Sequence, residues 1–277
     1  MVFCVISASP LSSQQLDGPC STNTPSHLHP FRLGIGVCEK CTIFYPKIPQ
    51  LANHVLKKVV ELFSESPDTY VQFLGGRYRT KAGVRRLYVN RFAKFFVGGR
   101  NGPVHGFLLD HPQMQGIIDV DYSQADNGTG AGAIAKARFR SLMQAGVHVS
   151  QAAKHPRGVC QWFEGGVYEN EFIKDADGTW RILKLRYFPF WHGDVEHGWS
   201  YKVAGFVPFM STTFPEDTMG PDELVGEDQC MMWPDTRVVP FHYNHPVTGK
   251  PVVDVDMQAP QYGEDPASYK PALKLDV

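Results

Sequence analysis

The sequence predicts an α+β fold, with helices segregated to one face of a largely antiparallel sheet. Three observations carry that prediction. Two amphipathic helical stripes fall within the first hundred residues. A long hairpin runs from Cys160 to Trp191. Between them lie further strand-like segments with no helix among them.

Residues 1–45 are rich in Ser, Pro, Thr and Gly, lack periodicity, and read as a poorly ordered segment. A helix is expected from about Pro49 to Ser64, where Leu51, Val55, Val59 and Leu62 recur at helical spacing. Next, Gly75-Gly76 divides two short extended pieces, so Tyr70 to Arg79 reads as a tight hairpin. A second helix spans Lys81–Val97, with Val84, Leu87, Tyr88, Phe92, Phe95 and Phe96 on one side, and Gly98-Gly99 stops it. Strands follow at about Met114 to Val120 and Ala133 to Ala145. The Gly-rich loop between them lacks the Lys-Ser/Thr ending and following helix of a phosphate cradle.

The Cys160–Trp191 stretch turns at Asp175, Asp177 and Gly178. Alternation along its first arm puts Trp162, Glu164, Gly166, Tyr168, Asn170 and Phe172 on one face. Glu169 and Glu171 then face the other way. Aromatic and carboxylate side chains sharing a face suit the wall of a ligand pocket as well as a solvated strand end. Residues 192–277 hold many Pro and Asp with little periodicity. Their aromatics, among them Phe209, Phe214, Trp233, Phe241 and Tyr243, argue for an irregular extension packed on the core.

The totals bound the function. The chain has 277 residues, 43% hydrophobic and 20% charged, with a formal net charge of −1. That composition is globular and gives no reason to expect nucleic acid as a partner. No apolar run reaches membrane-spanning length. The six cysteines are sparse, Cys38 and Cys41 form a lone CxxC, and no second ligand pair sits at zinc-finger spacing. The amino terminus lacks the basic start of a secretory signal, so a cytoplasmic location is the expectation. The Asn127-Gly-Thr sequon matters only in a secreted chain.

The element order, with the stretches LFSESPDTYVQFLGGRYRTKAGVRRLY, DHPQMQGIIDV, AKARFRSLMQAG and GGVYENEFIKDADGTWRILKLRYFPFW, resembles the SnoaL-like branch of the NTF2-like superfamily. The last stretch is the most specific. The resemblance covers roughly residues 50–191. It divides the chain into residues 1–45, a SnoaL-like domain over 46–191 and the extension 192–277, which marks the longer members with a Pro-rich tail. It implies an NTF2-like cone of curved sheet wrapped around the N-terminal helices, and a pocket at the open end. Relatives such as scytalone dehydratase and polyketide cyclases work without cofactors, using a His–Asp pair and tyrosines. Some longer relatives act on lignin-type aromatics. Homodimers through the outer sheet face are common in the superfamily.

The position matching the family histidine is His111. Its usual Asp on the first helix has no counterpart in LANHVLKKVVELF. That departure marks residues 1–58 as divergent. A neutral imidazole can take or give a proton near pH 7, so His111 is the expected general acid/base. Tyr168 is expected to orient substrate or relay a proton. Arg140 is expected to stabilise an anionic oxygen, since a guanidinium aimed into a cone can hold one. The walls are expected from Phe73, Tyr78, Trp162 and Trp191, with Glu164 lining one wall beside Tyr168 and His148 at the rim. The His and acid residues of 192–197, and His242 and His245, have metal-ligating side chains but no metal-site spacing, and no metal is expected. The expected function is a cofactor-independent lyase, dehydratase or isomerase acting on an aromatic or polyketide-like small molecule. The alternative is a non-catalytic binding or dimerisation module of the same fold.

Overall fold

The computed structural model describes residues 56–102, 104–154, 161–200, 209–235, 238–257 and 273–275. The Ser/Pro-rich amino-terminal segment, the start of the first helix and the CxxC lie outside the described residues.

The chain enters through α1 (Leu56–Glu61), whose Val59 and Val60 are buried. It then forms the hairpin β1 (Tyr70–Phe73) and β2 (Gly76–Arg79). A helical run follows as α2 (Thr80–Arg85), a π-helical segment (Arg86–Phe92) and α3 (Ala93–Val97). The expected second helix is therefore present, but its middle turns are wider than α. Gly98 ends it at φ 59°, where a side chain would be strained.

Six further strands follow. They are β3 (Phe107–Asp110), β4 (Gln113–Asp121), β5 (Ile134–Val147), β6 (Gln161–Lys174), β7 (Trp180–Asp194) and β8 (Glu223–Leu224). The sheet order is β3-β5-β6-β7-β1-β2-β8, with β4 also paired to β5. Every pairing is antiparallel except β1 with β7. β3 was not apparent in the sequence, because its four residues carry no alternation.

β3 and β4 lie end to end along one edge of β5: Asp110 faces Gln144 and Gln113 faces Ser141. His111 and Pro112 fill the gap. Pro112 has no N–H to give the ladder, so pairing lapses there. The register on either side still places His111 opposite Met143.

One face of the sheet carries the main core. Val71, Phe73, Ala135, Ala137, Phe139, Phe172, Ile182 and Leu185 meet Val59, Phe63, Val84, Leu87, Tyr88 and Phe92 from the helices. Burying several such side chains at about 1.5–3 kcal/mol each is what holds helices to sheet. The helices and sheet together make the expected α+β arrangement, a curved and unclosed sheet around a few helices.

Part of the opposite, outer face is covered by the chain's own extension. Val239 and Leu273 pack on Val167 and Phe188. Arg138 Nη1 donates to Glu169 at 2.6 Å and to the carbonyls of Val239 and Pro240 at 3.2 and 3.1 Å. The Phe241 ring stacks 4.2 Å from its guanidinium. His242 lies 2.9 Å from Glu169 and 3.2 Å from Asp119. Glu169 faces outward as its parity requires, yet it is only 1% exposed because this segment lies over it. Among the described residues no helix is long and apolar enough to cross a membrane.

Candidate functional site

The inner face of β6 holds the polar residues that its alternation placed there. Across the sheet the register aligns Met143, Glu164 and His192 in one row, with His111 beyond Met143. The next row aligns Ser141, Gly166 and Pro189, and the one after it Phe139, Tyr168 and Tyr187. These side chains converge. His111 Nδ1 and the Tyr168 hydroxyl share a hydrogen bond of 3.2 Å. The Tyr187 hydroxyl donates to Glu164 Oε1 at 2.6 Å, and Glu164 Oε2 lies 3.6 Å from His192 Nδ1.

Two ring contacts join these hydrogen-bonded groups. Tyr168 and Tyr187 are cross-strand neighbours with ring centroids 4.5 Å apart, and the His111 ring meets Tyr187 edge-on at 5.9 Å. Tyr187 connects Glu164 and Tyr168, bonding the one and packing on the other.

Gly166 makes this packing possible. A Cβ there would lie 2.6 Å from the Phe188 carbonyl oxygen and within 2.9 Å of the Tyr187 ring and hydroxyl. Its bare backbone lets Tyr187 lean across β6 to Glu164. From the helical side, the π-helical segment presents Tyr88 and Phe92. Phe92 packs on Tyr88 and Phe73, and Phe73 stacks on Tyr187 at 6.4 Å. π-helical turns recur at functional sites because they shift side chains out of α-helical register.

The cluster is enclosed. His111 is 3% exposed, Tyr168 0%, Tyr187 2% and Glu164 6%. Burial pushes the His111 imidazole well below its ordinary pKa, so the ring is neutral at pH 7. Burial, and then the nearby Glu164 carboxylate, raise both Tyr168 and Tyr187, which stay protonated. Tyr88 is raised by burial and by Tyr168. On the same inner face the Ser141 hydroxyl is buried with no hydrogen-bond partner among the described residues.

The expected residues divide. His111, Tyr168 and Glu164 come together, with Phe73 against them. Trp162 lies on the same face but packs with Met143, Ala145, Phe107 and Leu109. Tyr78 is inside the core, and its hydroxyl donates to the Met219 carbonyl at 3.2 Å beneath the extension. Arg140 is exposed. It pairs in register with Val167, so it stands on the outer face and cannot serve an oxygen held by His111. Trp191 also leaves the inner face: its indole lies over Gly165, where a Cβ would come within 2.2 Å of it. His148 sits in an exposed turn, its Nδ1 2.9 Å from Ser150 Oγ.

Tyr187, His192 and Tyr88 belong to the cluster and were not among the expected site residues. Counting back from the hairpin turn would bring Arg186 opposite Tyr168 and Phe190 opposite Glu164; two register shifts put Tyr187 and His192 there instead, so the sequence carried no direct signal for them. His192 turns toward Glu164, while Asp194 and His197 bond each other at an exposed turn. Among the described residues no group of three or more His, Cys, Asp or Glu side chains is placed to hold a metal. A surface groove lined by Glu61, Ser64, Lys81, Asp175 and Arg181 lies at the turn end of the β6–β7 hairpin, the other end of β6 from Glu164.

A histidine–tyrosine pair thus lies enclosed on the inner face of a curved sheet, under the helices. Residues 53–186 match the SnoaL-like domain family, and the chain carries a SnoaL-like domain of the NTF2-like superfamily. Three solved structures are similar to it. A scytalone dehydratase candidate from Novosphingobium aromaticivorans shares 16% identity at a TM-score of 0.32, over 53% of this chain and 75% of that one. A Kribbella flavida protein shares 15% at 0.34, over 53% and 84%. LinA shares 14% at 0.31, over 52% and 84%. No curated protein matches.

Proposed function

We propose that this protein is a cofactor-independent lyase, dehydratase or isomerase acting on an aromatic or polyketide-like small molecule, with His111 as general acid/base. The observation that supports it most is the buried pair of a neutral His111 and a protonated Tyr168, 3.2 Å apart. A neutral imidazole can accept a proton from a carbon acid, and in the tautomer whose Nδ1–H donates to the Tyr168 hydroxyl oxygen the ring is fixed and the Nε2 lone pair is left to the substrate. Ser141 offers its unpaired hydroxyl to a substrate oxygen. The SnoaL-like family supports chemistry of this kind on small molecules.

The test is turnover of a panel of aryl ketones, diarylpropane alcohols and polyketide-like phenols, comparing wild type with His111→Gln. A proton-transfer residue contributes roughly 10²–10⁴ in rate, and a loss of that size is expected. An unchanged rate sinks the assignment of His111. The enclosure of the cluster favours a second reading, a non-catalytic binding module. Tight binding of panel members by both proteins, with no turnover by either, would establish that one instead.

A further inference from the structure

The π-helical segment is held from outside by the carboxy-terminal extension. Residues 210–222 form a compact loop whose two ends are tied to the β1–β2 hairpin. The Met210 N–H donates to the Leu74 carbonyl at 2.7 Å, and the Asp222 N–H to the Arg77 carbonyl at 2.8 Å. Inside the loop the Phe214 N–H bonds the Pro221 carbonyl and the Gly220 N–H bonds the Asp217 carbonyl, both at 2.8 Å. Two arginines of the π-helical segment reach this one loop. Arg86 Nε donates to the Gly220 carbonyl at 2.7 Å, and its guanidinium lies 2.6 Å from Asp222 Oδ2 and 4.5 Å from the Phe214 ring. Arg91 Nη1 donates to Asp217 Oδ2 at 3.3 Å.

The spacing of these two arginines ties the loop to the helix's unusual form. At 3.6 residues per turn, side chains five apart on an α-helix point about 140° from each other. Arg86 and Arg91 would then face different ways. The i→i+5 bonds of a π turn bring residues five apart round to one side. The same widening puts Leu87 and Phe92, also five apart, in the core together with Tyr88. With Arg86 fixed, reversion to α would turn Arg91 off the loop and Phe92 off Phe73. From Phe92 a chain of ring contacts runs inward: to Phe73 at 5.2 Å, on to Tyr187 at 6.4 Å, and from Tyr187 to His111 at 5.9 Å.

We propose that the 210–222 loop holds the helix in its wide-turned form, and that Arg86 and Arg91 are positioning residues which, through Tyr88 and Phe92, keep the His111–Tyr168 cluster closed to water. The extension is thus a working part of the site and not a decoration on the fold. This rests on the enclosed cluster being the protein's working pocket. Arg86 and Arg91 touch none of its polar groups; they act by fixing the wall that lies against them.

The test follows the His111 ring by NMR titration in the full chain, where burial keeps its midpoint well below the ordinary imidazole value. Arg91→Met and Asp217→Asn each release one end of the segment. Both are expected to move that midpoint up toward about 6.5, and to speed amide exchange over residues 86–97 by about tenfold or more, the effect of losing a charged hydrogen bond. Arg91→Lys keeps the charge and is expected to hold the wild-type midpoint. The exchanged pair, Arg91→Asp with Asp217→Arg, is expected to restore it. Arg181→Met removes the ion pairs to Asp175 and Asp177 at the hairpin turn and reads the effect of lost stability alone; its midpoint is expected to stay in place. An unmoved midpoint in both Arg91→Met and Asp217→Asn would overturn the proposal, and so would an equal shift in Arg181→Met. The titration needs no substrate, so its outcome is separate from that of the His111→Gln turnover test.

Discussion

At the scale of the residue, His111 governs how the fold responds to acid. Its imidazole has a depressed pKa in the folded chain, so the unfolded chain binds more protons below about pH 6.5. The stabilisation from keeping it buried and neutral is full above that pH. It is lost as pH falls toward the folded value, at up to about 1.4 kcal/mol per pH unit. Denaturant melts at pH 7.5 and pH 5 are expected to show wild type losing more stability than His111→Gln over that interval. An identical loss would mean that other groups set the acid sensitivity. Gly166 is equally exacting. Gly166→Ala must push Tyr187 or the Phe188 carbonyl aside, and a cost of about 1–3 kcal/mol is expected from overpacking. The same melts check it, and tyrosine fluorescence near Glu164 reports whether the Tyr187 hydrogen bond survives.

At the scale of the element, the two helical regions and the central hairpin were legible because periodicity reports burial directly. The inward face of β6 was read from alternation alone and holds in the structure: Glu164 and Tyr168 are inside, Glu169 and Glu171 outside. What alternation could not supply is the face of β7. Its pairing with β6 shifts register at Gly165/Gly166 and again at Glu171/Phe172. Each shift inserts a residue and reverses parity locally. Tyr187, between the two shifts, therefore takes a place on the inner face, while beyond the shift at Gly165/Gly166 the original parity returns, with His192 inward and Trp191 outward. Arg140 shows a different limit. Arg138 and Arg140 share a parity opposite to Phe139, and a buried Phe139 sends both outward. That inference needs to know which face is the core. The site histidine was legible only through family resemblance, because Pro112 breaks the strand and leaves His111 in no periodic pattern.

At the scale of the whole molecule, the outer face of the sheet is the surface to which resemblance assigns a homodimer. Part of it lies under residues 238–243 and 273–275 of the same chain. Arg138 is the clasp. Arg138→Met leaves the buried Glu169 carboxylate without its guanidinium, and a loss of about 3–5 kcal/mol is expected by calorimetry or denaturant melts. Amide exchange should accelerate across residues 238–243 in that variant. Unchanged protection there would mean that the apolar contacts of Val239 and Leu273 hold the segment alone. We propose that the extension limits pairing through this face. Removing residues 236–277 is therefore expected to raise the sedimenting mass, and an unchanged mass would refute that role.

The parallel seam between β1 and β7 has a consequence for how the molecule is made. Tyr70 sits beside Lys184, and Phe63 bridges to Ile182. A ribosome therefore releases the first helix and first hairpin long before their neighbouring strand exists. Until β7 has cleared the exit tunnel, the apolar sides of Phe63, Val71 and Phe73 have no sheet to lie on, and such distant partners make closure slow. In the cell, this stretch of the nascent chain is where a holding chaperone would find its grip.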